Sequence, residues 1–194
     1  GPSFLFLGQS YLSIETGHDP LVGPLARSLG MGTLPETVYQ AILGAAPDSR
    51  EAAAKALNDA GRALVLPPSL KTTLEFPWNG VLSSAVDPSW RLGLKQDWRT
   101  VQETVPQRDR TRLSRDMADV QALMLFGGVD QPVDERPPAT KMELSRRRAL
   151  AAEALSRIVT DGLTPRGLLV VEGWSLHDWL DPETLYSQIC DAVP

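Results

Sequence analysis

Cysteine is nearly absent: one residue, Cys190, in a chain of 194. It can form no internal disulfide and build no cysteine metal site, so a reducing cytoplasm is the expected location. Histidine is almost as scarce, with only His18 and His177. Neither has a second ligand at metal spacing, and no metal is expected. No apolar run approaches the ~20 residues of a membrane span, and no secretory leader is visible. There is also no basic excess. With 19 Lys and Arg against 24 Asp and Glu, the net charge is −5, which argues against direct nucleic-acid binding. What is present is ordinary for a globular chain, at 42% hydrophobic and 22% charged, and the length suits one domain. Gly1-Pro2 reads as a tag remnant. Residues 3–194 read as a single domain excised from a longer protein, because the last stretch, Leu185 to Val193, is a helix without a clear stop.

The chain is organised around Phe4-Leu5-Phe6-Leu7, a solid apolar run halted by Gly8. A run without polar alternation suits a parallel strand buried on both faces. Similar runs are Gly80 to Val86 and Gln121 to Phe126, with a further one from Gly167 to Gly173. Thr100 to Thr104 alternates, which predicts a strand nearer an edge. Ala63 to Leu66 is a short strand candidate. Between the runs lie helical signals: Leu21 to Leu29, a capping box at Thr33-Leu34-Pro35-Glu36 ahead of Val38 and Ile42, and a start at Asp48-Ser49 for an alanine-rich helix ending at Gly61. Arg108 to Val120 follows with Leu113, Met117 and Val120 in helical register. A long helix is capped at Thr140, carries Leu144, Leu155, Ile158 and Val159 on its buried stripe, and ends at Gly162. Asp130 to Pro138 reads as a loop, and Asp181-Pro182 starts the last helix. Strands alternating with amphipathic helices predict an α/β, Rossmann-like parallel sheet with helices on both faces.

In such sheets the ligand crevice lies beyond the carboxyl ends of the strands. Four ends qualify: Gly8-Gln9-Ser10, Ser83-Ser84-Ala85-Val86-Asp87, Phe126-Gly127-Gly128 and Gly173-Trp174-Ser175-Leu176-His177-Asp178. Glu15 could meet a ribose and Ser10 a phosphate, while Asp87 either fixes its loop or caps the backbone before Pro88. Trp174 is the one tryptophan at a strand end. Arg146-Arg147-Arg148 is a basic cluster, read either as a solvated face or as a contact for an acidic partner or phosphate.

In order and spacing these ends resemble the sirtuin-like domains of bacterial anti-phage NAD-consuming proteins. That family's first strand ends in Gly-Ala-Gly-x-Ser, and later strands end in Thr-Thr-Asn-Tyr-Asp, His-Gly-Ser and Gly-Tyr-Ser-x-x-Asp. The resemblance spans essentially the whole chain. It implies NAD or ADP-ribose as ligand, held by Gly8, Gln9, Ser10, Glu15, Ser84, Asp87, Gly127, Gly173, Trp174 and Ser175. It also implies homo-oligomerisation and partner domains in a longer protein, a nucleotide-driven ATPase among them. The family's catalytic asparagine and histidine fall at Ala85 and Phe126, which can neither orient water nor move a proton, and Ser10 stands where the second glycine belongs. No catalytic residue is therefore expected. The expectation is a degenerate domain that senses a nucleotide or serves as a scaffold. The alternatives are an active NAD glycohydrolase working through Asp87, Glu15 or His177, and a purely structural module whose crevice Phe126 and Trp174 fill.

Overall fold

The computed structural model describes residues 1–107, 118–163 and 167–190. Five strands, β1 (Ser3–Leu7), β2 (Gly80–Ser83), β3 (Thr100–Thr104), β4 (Asp119–Met124) and β5 (Leu168–Glu172), form one sheet in the order β3-β4-β2-β1-β5. Every pairing is parallel, so the Rossmann-like α/β architecture is as expected. The apolar run of β1 explains its interior place: Phe4, Leu5, Phe6 and Leu7 are all buried. At about 1.5–3 kcal/mol per side chain this strand alone contributes on the order of 10 kcal/mol of burial. β3 lies at an edge, as its alternation predicts, with Thr100 and Gln102 exposed.

The helices are α1 (Val22–Ser28), α2 (Val38–Gly44), α3 (Arg50–Ala63), α4 (Pro68–Glu75), α5 (Ser89–Leu94), α6 (Lys141–Ile158) and α7 (Pro182–Cys190). From β1 to β2 and from β2 to β3 the chain moves one way along the sheet. From β4 to β5 it moves the other way. Right-handed crossovers then put α1–α5 on one face and α6 on the other, consistent with α1 packing on α3, α3 and α4 on α5, and α6 on α7. Neighbouring β2 and β4 thus send their chains to opposite faces, the arrangement that opens a crevice at the carboxyl rim.

Several local expectations change. The start of α2 is capped by Thr37, whose hydroxyl accepts from Gln40 N–H at 3.2 Å, rather than by Thr33. Thr37 precedes the buried Val38 directly, and the Gln40 side chain accepts from Glu36 N–H at 3.1 Å. Gly61 does not end α3, which runs on to Ala63. Its missing side chain makes room for the Pro88 ring, which a Cβ would meet at 2.8 Å. Ala63 to Leu66 is no strand: Ala63 closes α3, and an extended link leads into α4, with Pro68 in its first turn. Val120 belongs to β4, not to a helix; residues 108–117 lie outside the described residues. The loop over 130–138 holds one short turn of 3-10 helix, Val133–Glu135. α6 has the full capping box, Thr140 accepting from Glu143 N–H and Glu143 from Thr140 N–H. Leu144, Leu155, Ile158 and Val159 are buried as expected, and a π turn, Val159–Leu163, follows α6.

Two buried arginines secure the edge carrying β3. Arg91 of α5 is ion-paired with Glu103 of β3 and with Asp130, the latter at 2.6 Å. Arg99 donates to the carbonyls of Leu74, Glu75 and Phe76 at 2.8–3.1 Å, satisfying groups that a helix C-terminus leaves without partners. Among the described residues no helix is long and apolar enough to cross a membrane.

Candidate functional site

The sheet does bring the predicted strand ends together, and they bind one another. The first pair is a contact of two backbones. Gly8 N–H donates to Glu172 carbonyl at 2.8 Å, and Ser10 N–H to Gly173 carbonyl at 2.9 Å. A Cβ on Gly8 would overlap the Gly173 carbonyl and the Trp174 Cα, and one on Gly173, whose φ is +65°, would overlap the Tyr11 backbone. Both glycines permit a close approach, but what approaches is the neighbouring strand exit.

Gln9 is the hub. Its backbone N–H donates to Asp178 Oδ2 at 2.8 Å. Its side-chain Oε1 accepts from Val86 N–H at 3.2 Å and from Trp179 Nε1 at 3.0 Å. One buried carboxamide thus ties the exits of β1 and β2 to the segment after β5. Phe126, at the exit of β4, packs against the Trp179 ring with centroids 6.1 Å apart, and Tyr39 meets the same indole edge-on at 4.9 Å. Phe126 and Trp179 are both fully buried. Ala85 is buried in the same core.

Asp178 also accepts from Leu180 N–H at 3.2 Å. Burial dominates its titration and pushes its pKa up to about 6, against the opposing pull of Ser84 and the backbone donors. Ser84 lies close enough to act on this carboxyl, yet its hydroxyl makes no hydrogen bond of regular geometry. Two further buried atoms here, Gln9 Nε2 and Asp87 Oδ2, have no hydrogen-bond partner among the described residues.

A second group lies around the first loop. Tyr11 hydroxyl donates to Asp87 Oδ1 at 2.7 Å, and the same oxygen accepts from Ser89 N–H at 3.0 Å. Asp87 is therefore a buried loop-fixing residue. Burial and the neighbouring Asp87 push the Tyr11 phenol well above its ordinary range. Asp19 accepts from Leu21 N–H at 2.9 Å; burial first, and then Asp87, raise its pKa to about 7. Neither Tyr11 nor Asp19 is singled out by the sequence, since a tyrosine in an apolar stretch and an aspartate before proline read as packing and turn.

The other candidates face elsewhere. Glu15 is exposed and bonded to Ser69 at the start of α4. His18 is exposed, its Nδ1 3.1 Å from the Thr16 carbonyl. His177 is exposed with Nε2 4.0 Å from Glu36. Trp174 donates from Nε1 to Leu180 carbonyl at 3.1 Å, and the Ser10 and Ser175 hydroxyls meet at 3.2 Å. Gly127, at φ +81°, takes a conformation suited to glycine and lies against the Glu135 carbonyl. No cluster of three or more His, Cys, Asp or Glu suited to a metal occurs among the described residues. Asp87, Glu15 and His177 each have a different partner and do not form a nucleophile–base pair.

The chain matches no protein-family model and no curated protein.

Proposed function

We propose that this chain is a catalytically inert, sirtuin-like module that acts as a scaffold within a larger bacterial anti-phage protein, holding partner domains or copies of itself. The observation that carries the reading is the engagement of Gln9. The side chain standing in the phosphate-loop position is hydrogen-bonded to Val86 and Trp179, and its backbone to Asp178. Phe126, which the resemblance sets at the family's histidine position, is buried in the hydrophobic core. A buried phenylalanine has no proton to transfer.

Support for a holding role comes from the opposite edge of the sheet. β5 leaves Leu168 and Val171 exposed at 56% and 43%, and among the described residues no strand pairs with its outer side. Parallel sheets normally have their faces and edges covered, and a partner domain would cover this one.

Incubation with NAD, with nicotinamide release measured alongside calorimetric titration of ADP-ribose, tests the reading. No release above a protein-free control is expected. Release overturns the proposal in favour of an NAD glycohydrolase. ADP-ribose binding that disappears in the Ser10→Ala/Ser175→Ala variant replaces the scaffold with a sensor that uses the strand ends.

A further inference from the structure

A group of four arginines, Arg50, Arg136, Arg146 and Arg147, lies away from the strand-end cluster. Beyond the exit of β4, between α2 and α3 on one side and α6 on the other, is a cavity of about 620 Å³. That volume is within the range of small-molecule sites, about 300–1,000 Å³. Its position follows from the topology: β2 and β4 are neighbours whose outgoing chains turn to opposite faces, and the cavity opens between helices of the two faces. None of its lining residues belongs to the strand-end motifs.

The lining has two parts. Ala53 and Val129 are buried, and with Ile42 and Leu150 they give an apolar base. Arg50, Arg136, Arg146 and Arg147 line the same space. Three acids line it too, but two of them are engaged. Glu51 is ion-paired with Arg136, and Glu143, which accepts from Ala139 and Thr140 N–H at the start of α6, is also a favourable charge for Arg50 and Arg147. The third, Asp134, is a favourable charge near Arg147.

The arginines hold themselves in place through neutral groups. Arg147 donates to the Asp134 and Arg136 carbonyls at 2.6 and 3.3 Å, and Arg50 to the Ala139 carbonyl at 3.3 Å. Carbonyls orient a guanidinium without neutralising it. Arg147 Nη1 and Arg50 Nε are buried and have no hydrogen-bond partner among the described residues. Arg146, one residue away, has no hydrogen-bond or ion-pair partner among the described residues and acts on Arg147 as a like charge. In a chain of net charge −5, adjacent like charges beside a cavity lower their mutual repulsion by taking an anion, and the planar arginine fork matches phosphate.

We propose that this cavity binds a phosphate ester, its phosphate held by Arg50, Arg146 and Arg147 and its apolar or planar part lying on the base around Ala53 and Val129. The chain would thus respond to a phosphorylated small molecule through a site unrelated to the strand ends.

The test is calorimetry on the full 194-residue chain with phenyl phosphate, ADP and inorganic phosphate as probes. Phenyl phosphate and ADP are expected to bind more tightly than inorganic phosphate, and to weaken as sodium chloride is raised. Arg146→Glu, on an exposed residue, is expected to weaken ADP about tenfold or more at an unchanged Tm, and Ser10→Ala/Ser175→Ala to leave it unaltered. The proposal is overturned if none of the three probes binds below about 1 mM, or if Arg146→Glu leaves the affinity as it was. Loss of binding in the serine variant, or equal affinity for phenyl phosphate and inorganic phosphate, also overturns it.

Discussion

Replacing Asp19 with asparagine should change how stability depends on pH. The Asp19 carboxyl has a pKa of about 7 in the folded chain, raised chiefly by burial and further by Asp87, against about 4 when unfolded. Between those values the folded state binds more protons than the unfolded one, so unfolding free energy falls as pH rises through the window and levels off above it. A shift of about three units corresponds to about 4 kcal/mol at most. Partial exposure of Asp19 reduces that to an expected 2–4 kcal/mol, roughly. Asp178, with a pKa of about 6, works in the same direction, so the informative quantity is the difference between wild type and variant. In Asp19→Asn the side-chain oxygen still accepts from Leu21 N–H, and only the charge is lost. Urea denaturation from pH 4.5 to 8 should find the two proteins alike near pH 4.5 and the variant more stable by roughly 2–4 kcal/mol at pH 8. His18 lowers the Asp19 pKa, so the comparison is repeated in a His18→Gln background. A wild-type–variant difference that stays constant across the range refutes the argument.

Other outcomes are as specific. Gly173→Ala combines a φ of +65° with overlap on the Tyr11 backbone and should cost about 3–5 kcal/mol. Gly17→Ala, at φ +72° with open space around it, should cost only about 1–2 kcal/mol; equal losses in urea denaturation would show that crowding at Gly173 is not the cause. Gln9→Leu strands the Val86 and Trp179 N–H groups, so a loss of about 2–4 kcal/mol and a shifted tryptophan emission are expected. An unchanged melting curve contradicts the hub assignment. Arg99→Met removes three carbonyl contacts at the end of α4 and should destabilise by about 2–4 kcal/mol in urea denaturation.

The sheet was legible because its central strands are buried on both faces. Phe4 to Leu7 and Ala122 to Met124 have no exposed side, so hydrophobicity alone marks them. The short helices α4 and α5 left a weaker trace. Pro68 lies in the first turn of α4, just after Ala63 to Leu66, whose apolar run reads as a short strand. Gly61 reads as a stop because glycine commonly follows the last turn of a helix, whereas here it lies within α3 and admits the Pro88 ring. The same ambiguity governs the candidate site: Gly8, expected to let the backbone approach a ligand, lies against the Gly173 carbonyl and Trp174, and Gly173 lies against the Tyr11 backbone. The neighbouring pair Arg146 and Arg147 was visible in the sequence, whereas Arg50 and Arg136 come from distant segments and join them only through folding.

The all-parallel sheet also gives the molecule a fixed polarity for attachment. β1 begins at Ser3 in the interior of the sheet order, and Pro2 is held there by Leu168 N–H at 2.9 Å. A surface tether or fluorophore joined ahead of Ser3 emerges at the rim opposite Gln9, roughly 17 Å away along five residues of strand. A chain immobilised by that end would present its strand exits and the arginine cavity outward, with both left clear for titration.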